Sequence, residues 1–163
     1  MRIGSSAVAF VAVMSSASML SAQHSQVLKG VKQITVEDTI VGNKEKVKED
    51  FAPNLVADSL RNALKDANFE IVQSGAPVKC HIVLDEFSSG SAAKRFVVGF
   101  GAGRSTVDGR LVLRDQDGKE LANIPIRVRG NLAWSSYEGG NTQRRQATNS
   151  FEQRLSEEIA RMK

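Results

Sequence analysis

The chain has a single cysteine, Cys80, among its 163 residues, and only two histidines. An intrachain disulfide is therefore impossible, and the fold must be held together by its apolar core. His81 follows Cys80 directly, but neighbouring residues of a strand point to opposite faces, so these side chains are not expected to form a thiol–imidazole pair. The scarcity and spacing of these residues also argue against a zinc site.

Motifs for phosphate binding and catalysis are absent as well. The glycine-rich segment 99–103 lacks the last glycine of a dinucleotide-binding fingerprint, and no Gly-Lys-Ser/Thr of a phosphate loop follows it. Asp115 and Asp117 lack the further ligands of a calcium loop. Asp85 and Glu86 are strand neighbours that are expected to face opposite ways, which argues against a paired-carboxylate site. The sequence predicts no catalytic residue, no metal ligand and no cofactor, and favours a protein that is not an enzyme.

Aromatic residues and a dense basic stripe are also lacking. Aromatics make up 6% of the chain, and the formal net charge is only +4 at pH 7. Basic and acidic residues are interspersed, which argues against a nucleic-acid partner. A mild positive charge is instead compatible with an anionic surface of the cell envelope.

The first residues have the pattern of a secretory signal peptide. Arg2 is followed by an apolar stretch, too short to span a bilayer, and then by small residues. We interpret residues 1–22 as a signal cleaved near Ala22–Gln23. Leu20-Ser21-Ala22 resembles the start of a lipobox, but Gln23 stands where the lipidated cysteine is required. We expect a periplasmic or secreted protein with no lipid anchor and no transmembrane span after signal removal.

Residues 23–30 are predicted to be a flexible lead and residues 31–163 a single domain. Runs of β-branched and apolar residues predict strands at 31–38, 69–72, 78–87, 105–115 and 120–130. Apolar residues at helical spacing predict helices over 53–67 and 143–162. The order β-α-β-β-β-β-α predicts a small α+β domain, a mainly antiparallel sheet with two helices packed on one face.

Two local signals refine this prediction. Asp117-Gly118 favours a tight hairpin turn between the last two strands. Pro125 lacks the N–H that a central strand would donate, so it predicts an edge strand or a bulge.

Residues 96–104 combine glycines with apolar residues between basic neighbours. Gly99-Phe100-Gly101-Ala102-Gly103, with Val107, Leu111-Val112-Leu113-Arg114-Asp115 and Asp117-Gly118-Lys119 after it, resembles the bacterial family called domain of unknown function 4410. The resemblance covers about residues 31–162. It implies an exported cell-envelope protein, many members being lipoproteins, and it supplies no catalytic residues.

Two modes of action remain open at this point. One is a non-catalytic binding or assembly module that contacts an envelope protein or component through a sheet edge, the glycine-rich segment or exposed aromatics. The other is a peripheral membrane module in which apolar residues of 96–104 insert beside basic ones. The candidate contact residues are Arg95, Phe96, Gly99, Phe100, Gly101, Gly103, Arg104, Trp134 and Tyr137. A purely structural role for the same residues, and the oligomeric state, are left open.

Overall fold

A computed structural model describes residues 26–88, 105–129 and 140–163. In these ranges six strands form one sheet, and two helices pack on one of its faces. The strands are β1 Gln33–Val36, β2 Ile40–Val41, β3 Glu70–Val72, β4 Val78–Ser88, β5 Thr106–Asp115 and β6 Glu120–Arg129. The helices are α1 Ala52–Asp66 and α2 Gly140–Met162. None of the described helices is long and apolar enough to cross a membrane.

The sheet is mixed, with the strand order β3-β1-β4-β5-β6 and β2 beside β4. The long pairings β4–β5 and β5–β6 are antiparallel, whereas β1 runs parallel to both β3 and β4, and β2 runs parallel to β4. The predicted class is confirmed: this is a small α+β domain with a mainly antiparallel sheet. The predicted element order lacks β2, because a strand of two residues leaves no periodic pattern in the sequence.

The core lies between the helices and one face of the sheet. On β4, Cys80, Ile82 and Leu84 point into it, as their alternation predicts. Both helices contribute a buried apolar stripe; its members are Val56, Leu60, Ala63, Leu64, Ala147, Phe151, Leu155, Ile159 and Met162. Burial raises the pKa of the Cys80 thiol to about 12, with a smaller contribution from Glu37. Cys80 is therefore a protonated core side chain.

The described part of the predicted N-terminal lead, residues 26–30, packs against the core of the domain. Leu28 has no exposed surface, and its backbone N–H donates to the carbonyl of Met162 at 2.9 Å. This differs from the flexible lead predicted for 23–30, because two adjacent apolar residues, Val27 and Leu28, among polar neighbours give no periodic signal. Leu28 ties the start of the domain to the end of α2.

Two local predictions are confirmed, the hairpin turn at Asp117-Gly118 and the edge position of Pro125. Gly118 has a φ of +86° in the hairpin turn, where the backbone N–H of Lys119 donates to Asp115 Oδ1 at 2.8 Å. Within the described residues, β6 pairs only with β5, so Pro125 lies on an edge strand.

Candidate functional site

One face of the sheet carries neither α1 nor α2, and we call it the open face. Alternation along β4, β5 and β6 turns every second side chain away from the core. The open face is formed in its centre by Lys79, His81, Val83, Asp85, Asp108, Arg110, Val112, Arg114, Asn123, Pro125 and Arg127. Among the described residues, polar side chains from three adjacent strands lie together on this surface.

Ion pairs cross the strands on this face. Arg127 Nη2 lies 2.7 Å from Asp108 Oδ2, between directly paired residues of β6 and β5. Arg110 donates twice to Asp85, from Nε at 3.0 Å and from Nη2 at 3.3 Å. The Arg127 side chain is 63% exposed, so these pairs contribute little to folding and remain accessible to a partner.

One row across the strands contains three apolar residues and Arg110. Ile40 is in register with Val83, Val83 with Arg110, and Arg110 with Pro125. Ile40 is 49% exposed, and among the described residues only Phe51 is another large hydrophobic side chain with comparable exposure. The open face therefore combines apolar residues with the ion pairs Asp85–Arg110 and Asp108–Arg127, as protein interfaces often do.

A bulge interrupts the β4–β5 ladder between Leu84 and Glu86. The extra residue lets Asp85 contact Arg110 while Glu86 pairs in register with Asp108. The expectation that Asp85 and Glu86 face opposite sides of the sheet is therefore wrong, because it assumed an unbroken alternation.

His81 is the buried centre of the open face, with 1% of its surface exposed. Its Nδ1 lies 3.3 Å from Glu37 Oε2, but neither ring nitrogen has a hydrogen-bond partner among the described residues. Burial, and then the charge of Arg114, lower the His81 pKa, while Glu37 and Glu120 act in the opposite direction. The imidazole is therefore neutral at pH 7.

The described residues do not gather a metal site. Cys80 and His81 lie on opposite faces of the sheet, and no group of three or more histidine, cysteine or acidic side chains in these parts of the chain is placed to hold a metal ion. A shallow groove of about 260 Å³ between α1 and α2 is lined by Leu55, Asp58, Ser59, Asn62, Arg145, Thr148, Asn149 and Glu152.

The contact residues predicted from the sequence fall outside the described ranges. They lie in 89–104 and 130–139, and they are Arg95, Phe96, Gly99, Phe100, Gly101, Gly103, Arg104, Trp134 and Tyr137. Their roles stay predictions. The sequence analysis did not predict the open face. The alternation along β4 showed which of its side chains share a face, but the sequence did not show which residues of β5 lie opposite them.

These features define a class, a small α+β domain with two helices on one face of a mixed sheet and a polar opposite face. The family model named domain of unknown function (DUF4410) matches residues 26–132, well over half of the chain, and the chain belongs to this family. No curated protein matches it.

Several solved structures share the fold. A singly substituted PelC dodecamer from Paraburkholderia phytofirmans is 17% identical, covers 79% of this chain and 86% of that chain, and has a TM-score of 0.53. Another PelC dodecamer from the same organism is 16% identical, with 77% and 87% covered and a TM-score of 0.52. A minor lipoprotein from Acinetobacter baumannii is 8% identical, with 80% and 93% covered, and its TM-score of 0.43 is too low to show a shared fold. The PelC similarities show the fold alone.

Proposed function

We propose that this protein is a non-catalytic, exported component of the cell envelope that binds other proteins through its open face. The proposal is carried by the exposed Ile40 and Pro125, with the half-buried Val83 in the same row, beside the ion pairs Asp85–Arg110 and Asp108–Arg127. An apolar centre with an arginine-rich polar surround is the usual anatomy of a protein interface. The fold similarity to PelC dodecamers supports the compatibility of this architecture with protein assembly.

The open face is a better contact surface than the sheet edge. Pro125 removes a donor from the middle of β6, and a strand added there loses a ladder hydrogen bond. Arg127 and Arg129 add charge to the same edge strand, a combination that discourages edge-to-edge pairing. These features move the predicted contact from the edge to the face.

The partner that suits this face is a protein rather than a lipid surface. Asp85, Asp108 and Glu37 would lie against anionic headgroups if the face docked on a membrane. A protein is able to present complementary charges at each of these positions. Ile40 and Pro125 together offer too little exposed apolar surface on this face for stable insertion.

The test is site-specific photo-crosslinking in the native envelope. A photoreactive side chain at Ile40 or Pro125, both exposed on the open face, is expected to form discrete protein adducts. The matched control is Gln153, which is exposed on α2. Equal adducts from Gln153, or none from the open-face positions, would contradict the proposal. Flotation of the purified protein with vesicles containing anionic phosphatidylglycerol would instead indicate a membrane partner.

A further inference from the structure

Two charged side chains of β5 lie opposite side chains of the opposite charge on β6. Asp108 is in register with Arg127, and Arg114 with Glu120. The Asp108–Arg127 pair is an ion pair at 2.7 Å. Arg114 is in register with Lys79 of the open face, and Glu120 is its partner on β6. Two rows across these strands, Asp108–Arg127 and Arg114–Glu120, therefore each carry one acid and one base.

This arrangement is complementary to itself. A twofold axis that runs parallel to the strands, between β5 and β6, superimposes the β5 of one copy on the β6 of another, face to face. Asp108 then meets the second copy's Arg127, and Arg114 meets its Glu120. The rows between them bring Arg110 to Pro125 and Val112 to Asn123, so no like charges meet.

We propose that the open face binds a second copy of this chain about that axis. The inference rests on the proposed function, since it names the partner of the same face. The second copy would exclude water from the pairs of both copies, where they act more strongly than they do in solvent.

The register between β4 and β5 makes the neighbouring axis unfavourable. Lys79 is paired with Arg114, and Glu86 with Asp108. A twofold axis between β4 and β5 would therefore bring like charges together in both rows. The charge pattern selects the β5–β6 axis over this alternative, and like-charge contacts are an effective means of rejecting a wrong arrangement.

The experiment uses charge reversal in the mature full-length chain, measured by analytical ultracentrifugation. Asp108→Arg puts two bases in one row, and Arg127→Asp puts two acids there. Each single variant is expected to dissociate, with dimerisation weakened about tenfold or more relative to the wild type. A mixture of the two in equal amounts is expected to recover dimers, because the variant rows are complementary only to each other.

Two controls keep the test decisive. Asp58→Arg reverses an exposed charge on α1, away from the open face, and is expected to leave dimerisation unchanged. The double variant with Asp108→Arg and Arg127→Asp retains one acid and one base in the row. It is expected to dimerise like the wild type even if a single variant folds poorly.

Monomeric wild type at high protein concentration would overturn the inference, as would assembly that no reversal affects or a mixture that stays dissociated. These failures are distinguishable from failure of the proposed function. If Ile40 and Pro125 still crosslink to a different protein, the open face binds a partner and only the identity of that partner is wrong. If they crosslink to nothing, the open face itself is not a binding surface.

Discussion

Gly109→Ala probes the packing that shapes the open face. An ideal Cβ at Gly109 would lie 2.8 Å from the Val83 carbonyl oxygen and 3.3 Å from Ile82 Cγ2. The first neighbour is backbone, so relief requires a shift of β4 at its bulge. Overpacking of this kind costs about 1–3 kcal/mol, and the lower entropy of the unfolded alanine chain offsets about 0.4–1 kcal/mol.

The expected net loss is about 0–2.6 kcal/mol of unfolding free energy, with a midpoint of about 1.3 kcal/mol that corresponds to about 4 °C in Tm. Urea unfolding followed by circular dichroism measures it. Gly42→Ala is the matched control, because the atoms nearest to its Cβ belong to the side chains of Asp85 and Val83. Its loss should be the smaller of the two. Increased stability of Gly109→Ala, or a loss smaller than that of Gly42→Ala, would refute the packing argument.

Three further predictions concern the core and the face. The His81 pKa is lowered in the fold, so around its ordinary value of 6.5 the unfolded chain takes up the proton more readily than the folded protein does. The free energy of unfolding, measured by urea titration, should therefore fall from pH 7.5 to pH about 5.5. If this fall with pH is no smaller in His81→Leu, the prediction is contradicted. Leu28→Ala should cost about 2–4 kcal/mol in the same titration, and a loss below about 0.5 kcal/mol would show that Leu28 is not firmly packed. Cys80 should resist a thiol reagent until denaturant is added, because it is buried and its pKa is raised to about 12; fast labelling of the native protein would argue against its core position.

Local patterns were sufficient for much of the fold. The stripe from Val56 to Leu64 predicts α1 over 53–67, and the structure has it at Ala52–Asp66. The hairpin at Asp117-Gly118 and the edge position of Pro125 follow from backbone chemistry that each residue carries by itself. Such signals require no knowledge of distant parts of the chain.

Local patterns could not predict which strands pair when those strands are distant in the sequence. The parallel position of β1 between β3 and β4 depends on the crossover through α1, and parallel strands need such a long connection. The same limit applies to the open face. Asp108 and Arg127 are far apart in sequence, and only the register of β5 and β6 brings them into one row.

The bulge in β4 joins the core to the open face. Strict alternation from Leu84 would turn Glu86 inward and Phe87 outward, which would bury a carboxylate and expose an aromatic ring. The extra residue reverses that phase, so that Phe87 is only 3% exposed and Glu86 lies opposite Asp108. The sequence Leu84-Asp85-Glu86-Phe87 contains this requirement, since two successive acidic residues between apolar ones fit neither strand phase. Gly109 is the residue opposite Leu84 at this position, where a side chain would collide with the β4 backbone. The same irregularity therefore completes the core and aligns Asp85 with Arg110 on the surface that we propose for binding.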